Sequence, residues 1–417
     1  MSVELSTIVL AVAAVAGLYM AWNIGANDVA NAMGTSVGSG ALTLRRAIIV
    51  AAIFEFGGAM LVGGTVTQTI RKGIVDVAAF GGDPMVIAIG MTCCLLAAAL
   101  WLNLATYSGW PVSTTHSIVG AVVGFGLVAG GFDAVNWGVM GKIAASWVVS
   151  PLMGGTLGYF GFVFIKRRIL NVDRPLLALR GWGPFMVFPI FAILTLSVLF
   201  KGLKPLKLDL ALGPSLWIAV AAGLLASFVS VPLLRRATRI ASTDRDERTH
   251  RAERVFLVLQ VLTACFVAFA HGSNDVANAV GPMAAVFGAT SGELGAKVEV
   301  PYRVLLIGAV GIVVGLATYG YKIMATIGKK ITELTPSRGF AAEFGAATTI
   351  VMASKLGLPV STTHTLVGAV IGVGFARGIG AINMKVVTGI VASWFITVPF
   401  TAILAAALFM IGRLWLP

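Results

Sequence analysis

The hexapeptide PVSTTH occupies residues 111–116 and occurs again, unchanged, at residues 359–364. A second hexapeptide, NDVANA, is duplicated at residues 27–32 and 274–279. PVSTTH begins 84 residues after the first NDVANA and 85 residues after the second. Because the motifs recur in the same order and at almost the same spacing, the sequence indicates an internal duplication. The tripeptide ASW follows each PVSTTH, at residues 145–147 and 392–394.

The composition predicts a helical membrane protein. Of the 417 residues, 58% are hydrophobic and 11% are charged, whereas a typical soluble domain carries roughly 25% charged residues. Residues 84–132 contain no Lys, Arg, Asp or Glu, and about 20 predominantly apolar residues are enough for one spanning helix. Since the apolar runs are continuous rather than alternating, helices are favoured over a β-barrel.

The net charge of +13 is compatible with a nucleic-acid partner, but the distribution of that charge is not. Basic residues concentrate in two linkers, 166–180 and 235–254, which the positive-inside rule assigns to the cytoplasm. That orientation puts both chain termini on the outer side of the plasma (inner) membrane. We therefore expect an integral membrane protein with no nucleic-acid partner.

The chain is predicted to be an all-α polytopic protein with about twelve membrane segments. An odd number of segments separates the starts of the two duplicated units, so the second unit enters the membrane from the opposite face. This parity is unchanged if each PVSTTH forms the tip of a re-entrant hairpin. Inverted-topology repeats with broken helices or re-entrant hairpins are typical of secondary transporters. The predicted segments are 5–33, 47–66, 85–108, 112–130, 137–165, 184–201, 211–233, 255–283, 303–320, 340–356, 359–376 and 383–412.

The duplication also predicts three parts along the chain. The first repeat covers residues 1–165, and the second, inverted repeat covers residues 255–417. Residues 166–254 hold the connecting helices and the basic cytoplasmic linkers.

NDVANA lies in a run that is too long for a simple spanning helix. A continuous helix over residues 5–44 would measure about 60 Å, twice the roughly 30 Å of the hydrocarbon core. The helix must break, tilt strongly or leave the membrane, and the possible breaks are Gly25, Gly34, Gly38 and Gly40. A break would expose backbone carbonyl groups beside the polar side chains of the motif.

The polar residues of the two NDVANA copies are candidate cation ligands. An ionisable residue within an apolar run is costly and is functional by default. Carboxylate and amide oxygens suit a small hard cation such as Na⁺. The alternative is that these side chains join helices by hydrogen bonds. The candidates are Asn27, Asp28, Asn274 and Asp275, with Asn31 and Asn278 as further possibilities and Glu55 as a cation or proton ligand.

PVSTTH is a candidate anion site. Proline favours the first turn of a helix, and a helix N-terminus offers free N–H groups and a positive dipole end. The hydroxyl groups of the two copies suit a tetrahedral oxyanion. The alternative is plain N-capping and hydroxyl bonding between helices. The six candidates are Ser113, Thr114, Thr115, Ser361, Thr362 and Thr363.

Three histidines and one glutamate are the remaining polar residues to interpret. His116 and His364 are donors to the substrate, proton carriers or hydrogen-bonded partners between helices, and the last interpretation is favoured. His271 precedes only the second NDVANA and is left out of the predicted ligands, because Ile24 stands at the matching spacing. Glu343 is a weaker cation candidate than Glu55, since it is predicted to lie near a helix end.

Electrostatics connect the two motifs. An oxyanion beside Asp28 and Asp275 would concentrate negative charge in a low dielectric, which is unfavourable unless cations bind as well. Co-binding of Na⁺ or H⁺ relieves this repulsion and makes the coupling reciprocal. The pattern predicts cation symport. Two other classes remain open: an anion channel, and an intramembrane hydrolase with Ser113 as nucleophile and His116 as base.

Four stretches together resemble the inorganic phosphate transporter (PiT) family. They are GANDVANAMGTSVGS at 25–39, GSNDVANAVGP at 272–282, GWPVSTTH at 109–116 and GLPVSTTH at 357–364. The resemblance implies a twelve-span homodimeric transporter that carries phosphate with Na⁺ or H⁺ and is not an enzyme.

The resemblance also implies which residues bind the transported ions. Family binding residues carry over onto both Asn-Asp pairs, both Ser-Thr-Thr runs and Glu55. Sodium is the expected coupling ion, and no other cofactor is expected. Some bacterial relatives resemble sulfate carriers, so proton-coupled phosphate transport and sulfate transport remain alternatives.

Overall fold

The chain folds into α-helices joined by short connections. The structure, a computed structural model, describes residues 3–64, 73–80, 83–199, 210–239, 245–292, 300–321, 323–324, 331–356, 358 and 360–415. Pro359 of the second PVSTTH, the basic pair Arg71 and Lys72, and residues 240–244 of the second basic linker lie outside the described residues.

Twelve α-helices run through the described part of the chain, and each overlaps one predicted segment. They are α1 (Val3–Gly38), α2 (Leu44–Val62), α3 (Pro84–Tyr107), α4 (Thr114–Gly130), α5 (Trp137–Ile165), α6 (Pro175–Ser197), α7 (Leu212–Ala237), α8 (Arg245–Thr290), α9 (Tyr302–Tyr319), α10 (Pro336–Lys355), α11 (Thr362–Arg377) and α12 (Met384–Gly412). Short 3₁₀ turns cover Val77–Phe80, Phe132–Ala134, Ile379–Ala381 and Arg413–Trp415, and a π turn covers Lys166–Leu170.

The all-α membrane architecture is confirmed. Eight of the described helices are long and apolar enough to cross a membrane. The described residues contain no β-strand, and Val75 and Val135 form an isolated antiparallel bridge. In lipid every backbone polar group must be satisfied within the protein, which is why helices dominate.

Both NDVANA copies lie inside unbroken helices. α1 runs for 36 residues, about 54 Å, and continues through Gly25 and Gly34 to end at Gly38. α8 runs for 46 residues and contains the whole second copy. Of the three alternatives for the long first helix, the structure excludes a break within the motif. The motif therefore offers side-chain oxygens, because its carbonyl groups are occupied by helical hydrogen bonds.

The glycines beside NDVANA allow close helix crossings. A Cβ atom at Gly25 of α1 would lie 1.9 Å from the carbonyl oxygen of Ile312 in α9. A Cβ atom at Gly272 of α8 would lie 2.1 Å from the carbonyl oxygen of Glu55 in α2. The crossing of α1 with α9 is thus repeated by the crossing of α8 with α2. This match makes Ile312 the counterpart of Glu55.

The same correspondence extends along the two repeats. Helices α1 to α5 match α8 to α12 in order, and each PVSTTH lies at the tip of a helical hairpin, α3–α4 or α10–α11. Between the repeats, α6 packs against α7. The predicted boundary at residue 254 falls inside α8. The division into three parts and the inversion of the second repeat stay predictions.

Candidate functional site

Each PVSTTH starts a helix with a serine cap. The side-chain oxygen of Ser113 accepts a hydrogen bond from the backbone N–H of His116 at 3.1 Å. In the second copy, the side-chain oxygen of Ser361 accepts one from the backbone N–H of His364 at 3.1 Å. An extended residue whose side chain accepts an N–H of the first turn is the standard N-cap geometry. Each capping hydroxyl keeps its own proton for a further acceptor.

The two helix N-termini meet through reciprocal hydrogen bonds. Thr115 Oγ1 donates to the carbonyl oxygen of Val360 at 3.1 Å. Thr363 Oγ1 lies 3.2 Å from the carbonyl oxygen of Val112, the equivalent acceptor in the other half. Each half thus offers the equivalent carbonyl oxygen to the equivalent threonine of the other half. The six predicted hydroxyl groups are therefore brought together at one place.

The second asparagine of each NDVANA contacts the PVSTTH of the other half. Asn31 Nδ2 donates to Thr363 Oγ1 at 2.7 Å. Asn278 Nδ2 lies 3.1 Å from Thr115 Oγ1 and 3.2 Å from Thr114 Oγ1. The helices that carry NDVANA thus adjoin the same cluster of hydroxyl groups.

Both aspartates accept hydrogen bonds from threonines of the second PVSTTH. Thr363 Oγ1 lies 3.1 Å from Asp28 Oδ1, and Thr362 Oγ1 donates to Asp275 Oδ2 at 2.7 Å. Asn274 Nδ2 donates to the other oxygen of Asp275 at 2.7 Å. The two carboxyl groups, which are 247 positions apart in the sequence, belong to one buried site.

The first asparagine of each motif anchors the hairpin of its own repeat. Asn27 Nδ2 donates to Thr106 Oγ1 at 2.8 Å. Asn274 accepts a bond from Ser354 Oγ at 3.2 Å and donates to the carbonyl oxygen of Val360 at 3.0 Å. Thr106 and Ser354 lie at matching places near the ends of α3 and α10. Sequence reasoning missed both anchors, because neither belongs to a duplicated motif.

His271 lies among three carboxyl groups. Its Nε2 is 2.9 Å from Asp275 Oδ2 and 3.9 Å from Asp28 Oδ2, and its Nδ1 is 3.3 Å from Glu55 Oε1. Ligand atoms of His271 and the two aspartates lie within 4.8 Å of one another. Sequence reasoning left His271 out, since Ile24 occupies the matching position. The signal was its position four residues before Asp275, on the same helix face.

Several buried oxygen atoms of this site lack a hydrogen-bond donor among the described residues. They are Asn27 Oδ1, Asn31 Oδ1, Asp28 Oδ2 and both carboxylate oxygens of Glu55. Buried acceptors are nearly always paired, and an unpaired one is costly. All five atoms are hard oxygen ligands, the type of atom that a small hard cation prefers.

A model of the phosphate transporter family matches residues 24–405, which include both motif pairs. The chain belongs to the phosphate transporter family. Membership in a family of transporters argues against the intramembrane hydrolase that sequence reasoning left open.

Relatives of this transporter match it over most of its length. A Pyrococcus abyssi protein named as a phosphate permease is 46% identical over 401 residues, 96% of each chain. The chloroplastic inorganic phosphate transporter 2-1 of Arabidopsis thaliana is 46% identical over 418 residues, covering 93% of this chain and 70% of that protein. A solved structure titled as the sodium-dependent phosphate transporter has a TM-score of 0.91 and 43% identity, and the match covers 98% of this chain and 100% of that one.

Glu343 of the transporter lies deeper in its helix than predicted. α10 begins at Pro336 rather than at 340, so Glu343 follows nearly two helical turns and is fully buried. Thr35, Ser36 and Thr263 donate to its carboxylate, each at 2.6 Å, and Gln260 donates at 3.1 Å. The expected helix-end position is wrong. Glu343 forms a second polar cluster in the transporter, about 10 Å further along α1 than Asp28.

The PVSTTH histidines of the transporter lie in a cluster of aromatic rings. The rings of His116 and His364 meet edge to face with centroids 4.2 Å apart. Each also packs on an ASW tryptophan, Trp147 at 3.8 Å and Trp394 at 3.5 Å. Their ring nitrogens have no hydrogen-bond partner within the described chain. Aromatic neighbours thus surround both rings, and the roles of the two histidines stay predictions.

Proposed function

We propose that this transporter imports inorganic phosphate by symport with sodium ions. The observation that carries the proposal is a set of buried carboxylate and amide oxygens beside two hydroxyl-bearing helix N-termini, several of them without a hydrogen-bond partner among the described residues. The oxygens suit a cation, and the helix N-termini suit an oxyanion. The name of the structural neighbour, a sodium-dependent phosphate transporter, supports sodium as the coupling ion.

Phosphate is proposed to bind between the N-termini of α4 and α11. Thr115, Thr362 and Thr363 donate to backbone carbonyls or aspartates, and a bound phosphate would compete for these protons. The two capping serines accept N–H groups and keep their own protons for the phosphate. Two helix N-termini approach the position from the two halves, and each contributes a positive dipole end. The proposed ligands are Ser113, Thr114, Thr115, Ser361, Thr362 and Thr363.

Sodium is proposed to bind at the aspartates and their neighbours. The site brings together the carboxyl groups of Asp28, Asp275 and Glu55, with His271 as the one group of this cluster that can carry positive charge. Adding an oxyanion to this cluster is unfavourable unless cations bind with it, because buried charges require compensation. Each ion therefore raises the affinity for the other. The remaining candidate ligands are Asn27, Asn274, Asn31 and Asn278. Glu343, His116 and His364 are weaker candidates.

Transport requires movement around this site. Ser113 and Thr363 are each 1% exposed, and Asp28 is fully buried. A phosphate ion can reach such a position only if the hairpins that carry PVSTTH move relative to the NDVANA helices. Alternating access by one repeat moving against the other is the general mode of transporters built from inverted repeats.

The assembly and location are proposed from the family resemblance and the charge distribution. We propose a homodimer in the plasma membrane, with both termini on the outer side. The basic residues of the linker 235–254 support a cytoplasmic position for that segment.

An uptake experiment with the purified chain in proteoliposomes tests the proposal. Labelled phosphate should accumulate above equilibrium under an inward sodium gradient and should not do so when choline replaces sodium. Equal accumulation driven by a proton gradient alone would overturn sodium coupling. Stronger inhibition by sulfate than by unlabelled phosphate would overturn the substrate assignment, and equilibration without accumulation would indicate a channel.

A further inference from the structure

A cleft of about 390 Å³ opens between α5 and α10. The two helices are in close contact at their glycines, since a Cβ atom at Gly345 would lie 2.9 Å from the backbone nitrogen of Gly158. Away from that contact they diverge, toward the N-terminal end of α5 and the C-terminal end of α10. The cleft occupies the space between the diverging ends.

The inside of the cleft is apolar. Side chains such as Val149 and Met153 line it from α5, and Met352 lines it from α10. Three serine and threonine hydroxyls line it. Ser146 and Thr349 donate to carbonyl oxygens of their own helices, at 2.6 and 2.8 Å, whereas the buried Oγ of Ser150 has no hydrogen-bond partner among the described residues. Apart from Lys142 at the edge, the other described lining residues are Ala, Val, Leu or Met, so the cleft suits a hydrocarbon chain.

The equivalent cleft in the other half is filled by side chains. Thr349 lies 12 residues before Ser361, and the residue 12 positions before Ser113 is Trp101. Trp101 is 4% exposed, and its ring packs on Phe400 at 4.5 Å. Phe400 in turn occupies the position that Met153 holds in the open cleft, each of them six residues after the ASW tryptophan of its half. The two halves thus differ at these positions, with two large aromatic residues in one half and the smaller Thr349 and Met153 in the other.

The open cleft also carries a positive charge that its counterpart lacks. Lys142 is exposed and is the one charged residue among the described residues that line the cleft. The matching position, five residues before the ASW tryptophan, is Gly389 in the other half. Lys142 follows the start of α5 by about 8 Å, and no described carboxylate forms an ion pair with it. A lysine near a helix end extends its ammonium group to the lipid headgroups.

We propose that this cleft binds one acyl chain of an anionic phospholipid, with the phosphate of the headgroup paired to Lys142. An anionic headgroup is favoured over a zwitterionic one because no described carboxylate is paired with Lys142, where it could balance a choline. The cleft wall includes Val360, whose carbonyl oxygen accepts bonds from Thr115 and Asn274. A bound lipid therefore packs against the wall of the candidate phosphate site.

Photo-crosslinking in phosphatidylcholine nanodiscs tests the acyl-chain position. The probe is phosphatidylglycerol with a diazirine in its acyl chain, and labelled peptides are identified by mass spectrometry. Label should concentrate on the peptides that contain Val149 to Met153 and Met352. The double variant Thr349→Trp/Met153→Phe copies the filled half, and its labelling of these peptides should fall about tenfold because the acyl chain loses its apolar contacts.

Controls keep this test decisive. Val148 is 61% exposed and does not line the cleft, so Val148→Trp should retain the labelling. Equal labelling of the wild type and a folded double variant would overturn the proposal. If the double variant unfolds, as judged by gel filtration and thermal unfolding, Met153→Phe alone should still reduce the labelling, and an unchanged level would overturn the proposal.

A second labelling experiment tests the charge of the headgroup. The wild type should label more strongly with diazirine phosphatidylglycerol than with diazirine phosphatidylcholine. Lys142→Gln should remove this preference and leave the sites of labelling unchanged. Equal labelling of the wild type by both lipids would overturn the assignment of an anionic lipid.

Discussion

At the scale of single residues, the candidate site is duplicated but not symmetric. Asp28 and Asp275 occupy equivalent positions in α1 and α8. His271 and Glu55 lie beside them on one side of the site. The motif spacing makes Ile24 the counterpart of His271. The glycine contacts between helices make Ile312 the counterpart of Glu55. The charged pair therefore makes the two halves of the site chemically different.

Asp28→Asn tests the proposed sodium ligands. Removing a buried anionic oxygen from a cation site should raise the sodium concentration for half-maximal uptake by about tenfold, equivalent to ~1.4 kcal/mol. Asp275→Asn should act in the same direction. Phosphate uptake at varied sodium concentrations in proteoliposomes measures the effect. Asp133→Asn is the control, because it changes an exposed residue beyond the opposite end of α4 from PVSTTH. An Asp28 variant that matched it would contradict the assignment.

Ser113→Ala tests the proposed phosphate ligands. The change removes a hydroxyl donor and the cap of α4. Loss of a hydrogen bond to a charged group costs about 1.5–3 kcal/mol, so the apparent constant for phosphate should rise by about 10- to 100-fold. Ser361→Ala should behave alike.

The matched control for Ser113 is one helical turn away. Ser117 Oγ donates to the carbonyl oxygen of Ser113 at 2.8 Å and is buried. Ser117→Ala should leave the apparent constant for phosphate close to that of the wild type. If both variants raised it equally, a general weakening of α4 would explain the change better than lost ligands.

At the scale of helices, glycines set the distance between the repeats' long helices. A Cβ atom at Gly58 in α2 would lie 2.1 Å from the carbonyl oxygen of Phe269 in α8. Gly315 in α9 has the same relation to Trp22 in α1, at 1.9 Å. These contacts hold Asp28 and Asp275 near the hairpin tips without any break in the helices that carry them.

Gly58→Ala should destabilise the transporter. Overpacking at a close contact costs about 1–3 kcal/mol, so the thermal unfolding temperature in detergent should fall. Gly57 is the adjacent residue on the same helix, and a Cβ atom there would meet no atom within 4 Å. Gly57→Ala should be neutral or stabilising by up to ~1 kcal/mol, since alanine favours a helix. Equal unfolding temperatures for the two variants would show that the α2–α8 contact is loose.

The unbroken course of α1 marks a limit of sequence reasoning about helices. Length and glycine content indicated a break as readily as a tilt or an extension beyond the membrane. Gly25 and Gly34 do not interrupt α1, and Gly25 instead lies against the backbone of α9. Which of these roles a glycine has depends on the neighbouring helix, and the sequence around Gly25 does not contain that neighbour.

At the scale of the whole molecule, orientation is the open prediction. Epitopes fused to either terminus should be accessible to protease in right-side-out membrane vesicles, and a tag inserted in the linker 235–254 should be protected. The physical reason is that basic segments are retained on the cytoplasmic side. Protected termini together with an accessible linker would show that the chain has the opposite orientation. One accessible and one protected terminus would contradict the predicted even number of membrane crossings.

The amino-acid sequence by itself determined the class of protein, its twelve helices and its duplicated polar motifs. Long apolar runs leave helices as the way to satisfy the backbone in lipid, and a polar motif placed twice in such runs marks a functional site. These properties are local, so they can be inferred from composition and spacing.

Only the tertiary structure decided which distant side chains meet. His271 joined Glu55 and both aspartates, Glu343 received four donors from two other helices, and the PVSTTH histidines stacked on tryptophans. The filled cleft at Trp101 and the open one at Thr349 also differ through contacts between separate helices. Such contacts depend on how helices cross, and helix crossing is set by packing between residues far apart in the chain.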